Sequence, residues 1–166
     1  ETSMTTTFDV TRYQDKATIQ QLLHNTKTIA IVGLSSNVLR ASYFVGAYLQ
    51  SHGYRIIPVN PRESEVLGEE SYETLMDVPV AIDMVNVFRA PAALPAIAEE
   101  AVAIKASSLW CQFTVVNERG AHIAEEGGLS VIMDRCMKVE HARYIGRMHW
   151  LGFNTNRITS VREGLQ

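Results

Sequence analysis

The stretch Gly33-Leu34-Ser35-Ser36-Asn37-Val38-Leu39-Arg40-Ala41-Ser42 follows a short apolar run and leads into a helix-like segment. Its composition suits an anion. Small residues leave backbone N–H groups accessible, and the helix start adds the positive end of its dipole, so pyrophosphate is the natural ligand class. Gly33 allows close backbone approach, Ser35, Ser36 and Ser42 can donate hydroxyl hydrogen bonds, and Arg40 can add a charge-assisted contact. The competing reading makes Ser42 a helix cap and Arg40 a solvated charge. The stretch is neither a Walker A loop, which needs Gly-Lys-Ser/Thr, nor the full G-x-G-x-x-G fingerprint.

Four further apolar runs are each followed by residues able to meet the same ligand. Val59-Asn60-Pro61-Arg62 lacks the Asp or Glu with which NAD-binding domains usually hold a ribose diol. Asn60, Pro61 and Arg62 suit a phosphorylated ribose instead, as in coenzyme A or NADP. Phe88 and Arg89 place an aromatic ring and a cation at the next run's end, for phosphate or for stacking on adenine. Trp110, Gln112 and Phe113, two aromatics and an amide, can line a channel for a pantetheine arm, although Trp110 equally suits a core. After the last run come Asp134, Arg135, Lys138, Glu140 and His141. Lys138 is placed near the crevice and Asp134 and Arg135 at the sheet edge. Glu140 and His141 are adjacent, so on a helix they diverge and make a poor acid–base pair.

These segments need elements to hold them. Thr28 to Leu34, Tyr54 to Val59, Ala81 to Phe88, Ser107 to Gln112 and Ser130 to Met133 read as five buried strands. Pro58 suggests that the second strand ends there or lacks a ladder bond. Helices are expected at Tyr13 to Asn25, Tyr43 to His52, Pro91 to Ile104, Val116 to Glu126 and Lys138 to Met148, with Asn60 to Val80 a loop holding one helical turn. The alternation implies an α/β, Rossmann-like, doubly wound fold: a mainly parallel five-stranded sheet with helices on both faces.

The 166 residues favour one domain, expected over 13–150, with a flexible N-terminal segment 1–12 and a tail 151–166. Glu1-Thr2-Ser3 ahead of Met4 reads as an expression remnant. A formal charge of -3 argues against a nucleic-acid surface. The apolar stretches are shorter than the roughly 20 residues of a bilayer span, so no membrane role and a cytoplasmic address are expected. Cys111 and Cys136 are read as buried thiols, and no metal-ligand spacing occurs.

IAIVGLSSNVLRASY, HGYRIIPVNP, VLGEESYETL, VNVFR, LWCQFTVVNE and MDRCMKVEHAR, running from about Ile29 to Arg143, resemble the small stand-alone CoA-binding proteins. That family is related to the CoA-binding domain of the succinyl-CoA synthetase α subunit. The resemblance implies the diphosphate at the turn after the first strand and adenosine near the ends of the second and third. It implies no reaction, because those synthetases use a phosphorylated histidine in a separate region and a nucleotide-binding partner, for which this chain is too short. The reading is therefore binding of CoA or an acyl-CoA without catalysis, compatible with a homo-oligomer. The alternatives are an NADP-dependent oxidoreductase or other enzyme on the same fold, and an interaction module that binds no nucleotide.

Overall fold

Short runs rich in Val and Ile, each bounded by a turn and returned by a helix, have one satisfactory arrangement: parallel strands covered on both sides. The computed structural model describes residues 7–146. Its strands are β1 (Thr28–Val32), β2 (Arg55–Val59), β3 (Glu65–Val66), β4 (Glu69–Glu70), β5 (Met84–Val87), β6 (Ser108–Cys111) and β7 (Ser130–Ile132). Five of them form the expected parallel sheet, in the order β2-β1-β5-β6-β7. Pro58 is tolerated because β2 is the edge strand of this sheet.

β3 and β4 pair as a small antiparallel hairpin within the segment read as loop. Its turn residues Leu67 and Gly68 lie at φ 56° and 79°. Leucine is an unusual choice for that region, so no Asn-Gly or Asp-Gly signature announces the hairpin.

The helices are α1 (Lys16–Asn25), α2 (Ala41–Ser51), α3 (Leu94–Ala103), α4 (Glu118–Glu126) and α5 (Met137–His141). Alternate strand residues face opposite sides. Ile29 and Ile31 pack with Ile19 and Leu23 of α1, Val45 and Leu49 of α2, and Met137 of α5. Ala30 and Val32 face Leu94, Ile97 and Ala98 of α3 and Ala121 and Ala124 of α4. The sheet is thus doubly wound, as its pattern predicts.

Two boundaries move. Asp9 caps a 3-10 turn over Val10–Tyr13, Tyr13 is buried, and Phe8 and Val10 pack on the core. Ordered packing therefore begins ahead of residue 13, the expected limit of the flexible segment, and α1 starts only at Lys16, capped by Asp15. At the other end α5 passes into a π-helical turn over Ala142–Gly146. The mobility assigned to the first six residues, the helix end at Met148 and the tail 151–166 lie outside the described residues.

Candidate functional site

β1 has β2 on one side and β5 on the other, and the helices that follow β1 and β5 cover opposite faces. The two turns therefore diverge and leave a crevice at the carboxyl ends of these strands, where open α/β sheets bind ligands. A cleft of about 370 Å³ lies there. Gly33, Ser35 and Arg40 line it from the turn after β1, Ser42 from the first turn of α2, and Phe88 and Arg89 from the turn after β5.

Gly33 lets the two turns start in close contact before they diverge. It sits at φ +92°, and a Cβ built on it would lie 2.1 Å from the Phe88 carbonyl oxygen. Its N–H donates to the Val59 oxygen at 2.8 Å and so is committed to the sheet. Arg89 reaches over this turn, its Nε 3.5 Å from the same hypothetical Cβ.

Several amides of the loop beyond Gly33 are satisfied locally. Ser35 N–H donates to Ser42 Oγ, Asn37 N–H to Ser35 Oγ and Leu39 N–H to Asn37 Oδ1, all within 3.0 Å. Ser42 is thus buried as a loop brace and does not cap its helix. The cap position belongs to Arg40, which offers no side-chain acceptor, so α2 begins without a side-chain cap. Such a helix start, beside two guanidinium groups and no lining carboxylate, is electrostatically suited to an anion.

Other candidates lie elsewhere. Ser36 is outside the cleft lining, and its N–H and hydroxyl both donate to Glu63. The buried Asn60 spends its amide on backbone, Nδ2 donating to Leu34 O and Oδ1 accepting from Arg62 N–H, each at 3.0 Å. Pro61 and Arg62 are exposed just beyond it. Trp110 is 0% exposed and Gln112 2%, which corrects the expectation that they line a channel. Trp110 Nε1 donates to Arg135 O at 2.8 Å, while Gln112 bridges Asn86 Oδ1 and the Met137 N–H. Both fix the start of α5 against the sheet. Lys138 is exposed, with Nζ 5.3 Å from the Tyr48 ring centre, and it too lies outside the lining.

Of the three residues expected at this wall, Phe113 lines the cleft, joined there by Thr114 and Val115. Thr114 has φ 69°, a costly conformation for a β-branched residue. Its N–H donates to Asp134 Oδ1 at 2.7 Å, which helps hold the turn. Thr114 and Val115 are absent from the sequence expectation, because nothing local signals the turn.

His141 belongs to a different place. It is buried beside Tyr48, Tyr54 and His52, with the Tyr48 hydroxyl 3.0 Å from its Nδ1, and lines a separate pocket with His24 and Lys27. Glu140 is buried and pairs with Arg143 at 3.2 Å. Burial first, then the His52 and His24 imidazoles, lower the pKa of His141 from its usual 6.5. The unfolded chain therefore binds this proton more readily than the native one. Stability from this residue is complete above about pH 6.5 and is lost as pH falls through the folded value. Urea denaturation between pH 7.5 and 5.5 should show a smaller loss for His141→Gln than for the parent; equal losses would remove His141 as the cause. Cys111 is buried, which pushes its thiol far up, whereas Cys136 is half-buried rather than enclosed.

Fold and cleft together define a Rossmann-like α/β protein with a cleft at the sheet's switch point. More narrowly, the chain belongs to the CoA binding domain family, whose model matches residues 27–142. It is 44% identical over 127 residues to the uncharacterized protein YneT of Bacillus subtilis, covering 76% of this chain and 94% of that one. A solved structure of a hypothetical protein from Pyrococcus horikoshii superposes with a TM-score of 0.79 at 34% identity, covering 86% of this chain and all of that one (100%). An ADP-forming acetate–CoA ligase of Methanocaldococcus jannaschii is 28% identical over 74 residues, 45% of this chain but only 10% of the ligase.

Proposed function

We propose that this protein binds coenzyme A or an acyl-CoA across the carboxyl ends of β1 and β5, as a cytoplasmic binding protein without a reaction of its own. The observation that carries the reading is the cleft, which pairs Arg40 and Arg89 with an uncapped helix start and has an apolar flank of Phe88, Phe113 and Val115. The diphosphate is assigned to the start of α2, the adenosine side to the ends of β2 and β5, and the pantetheine arm to the Phe113–Val115 turn. Family membership supports the choice of CoA among phosphorylated nucleotides. The cleft lining carries hydroxyls and guanidinium groups but no carboxylate, imidazole or thiol to act as acid, base or nucleophile.

Arg62 is the cation assigned to the 3′-phosphate. CoA should accordingly bind about tenfold more tightly than dephospho-CoA, a modest factor because Arg62 is exposed. Calorimetric titration with CoA, dephospho-CoA, NADP and NAD checks this directly. Equal affinity for the first two removes Arg62 from the site. NADP binding more tightly than CoA would overturn the functional reading itself.

A further inference from the structure

Glu63 is absent from every expectation drawn from the sequence, yet its carboxylate occupies donors that were assigned to phosphate. Its Oε2 accepts from the Ser36 N–H at 2.9 Å and from the Ser36 hydroxyl at 3.0 Å, across 27 residues of chain. This is the outermost of three ties that join the end of β2 and the segment after it to the turn after β1. The first is Gly33 N–H to Val59 O at 2.8 Å, and the second is Asn60 Nδ2 to Leu34 O at 3.0 Å. Past Ser36, the hydrogen bonds of residues 37–40 among the described residues run within the loop and to the first turn of α2.

Ser36 is not part of the cleft lining, so Glu63 holds the loop from outside and leaves Ser35, Arg40 and Ser42 facing the cleft. Two donors on one carboxylate oxygen form a charge-assisted attachment. An ordered loop spares the ligand the entropy of ordering it.

We propose that Glu63 is a positioning residue for the anion-binding loop: by holding Ser36 it keeps Arg40 and the start of α2 in a binding-ready arrangement. The ligand side of this inference rests on the CoA reading; the attachment itself does not. A carboxylate near an anion site also repels the ligand, and removing that charge alone would tighten binding. Glutamine separates the two effects, since its carbonyl oxygen can accept from the same two donors without the charge.

The test compares Glu63→Ala with Glu63→Gln, both lacking the charge, after confirming that their unfolding midpoints match the parent. Amide hydrogen exchange in the unliganded protein should be faster at Ser36 in Glu63→Ala and near the parent rate in Glu63→Gln. CoA should bind roughly fivefold to tenfold more weakly to Glu63→Ala than to Glu63→Gln. Equal Ser36 exchange in the two variants overturns the attachment. Faster exchange in Glu63→Ala with equal CoA affinities overturns the positioning role. If the parent binds no CoA while exchange behaves as expected, the functional reading fails and the attachment stands as a structural feature.

Discussion

Gly33→Ala should destabilise the protein by upwards of about 4 kcal/mol, and Gly33→Val should not yield a folded chain. Two penalties meet at this residue. A side chain at φ +92° is strained on its own account, typically by about 1–3 kcal/mol. The added Cβ would also stand 2.1 Å from the Phe88 carbonyl oxygen. That oxygen cannot easily retreat, because the Phe88 N–H donates to Val32 O at 2.9 Å and ties the end of β5 to the end of β1. Relief requires parting two central strands at the switch point. The sequence suggests a different penalty, obstruction of phosphate by the new side chain, but the Gly33 N–H is already bonded to Val59 O and the crowding comes from the fold. Gly53→Ala supplies the control: its φ is +96°, yet nothing lies within 4 Å of its hypothetical Cβ. Urea denaturation should give that variant only the backbone penalty. Similar losses for Gly33→Ala and Gly53→Ala would show that the contact with Phe88 is not the source.

Why the fold was legible, and much of the candidate site was not, follows from the range over which each signal acts. β1 and β5 are runs of four or five mostly apolar residues bounded by turns, and local pattern suffices to identify them. The rule that ligands bind at strand ends then points to Gly33, Arg40, Phe88 and Arg89 without knowledge of any long-range contact. Trp110 shows where this stops. Along β6, Leu109 and Cys111 face α3 and α4, while Trp110 faces the other layer, where its indole N–H meets Arg135 O. The alternation was visible, but the identity of the covering helix was not. Asn60 is similar: an amide after a strand reads as a ligand contact until its partners, Leu34 O and Arg62 N–H, are known. The Thr114 turn depends on Asp134, twenty residues away. Glu63 is the clearest instance, since a solvated loop carboxylate and one that grips Ser36 have the same local sequence.

Removing both cleft arginines, in Arg40→Ala/Arg89→Ala, should weaken CoA binding about a hundredfold, with each single variant losing about tenfold. The two residues approach the cleft from opposite sides of the switch point, Arg40 at the cap position of α2 and Arg89 after β5 over the Gly33 turn. A hydrogen bond to a charged group contributes about 1.5–3 kcal/mol, and the lower figure applies here because Arg40 is exposed and Arg89 only half-buried. Neither belongs to the hydrophobic clusters, so unfolding midpoints should stay near the parent value. The loss should shrink as salt is raised, because screening already weakens exposed contacts in the parent. A shortfall below the sum of the singles would indicate that both cations act on the same phosphate group and are coupled. If folded Arg40→Ala binds CoA as tightly as the parent, the diphosphate does not sit at the start of α2. If only Arg89→Ala matters, the anion belongs to the β5 side of the cleft, and the helix dipole contributes little to holding it.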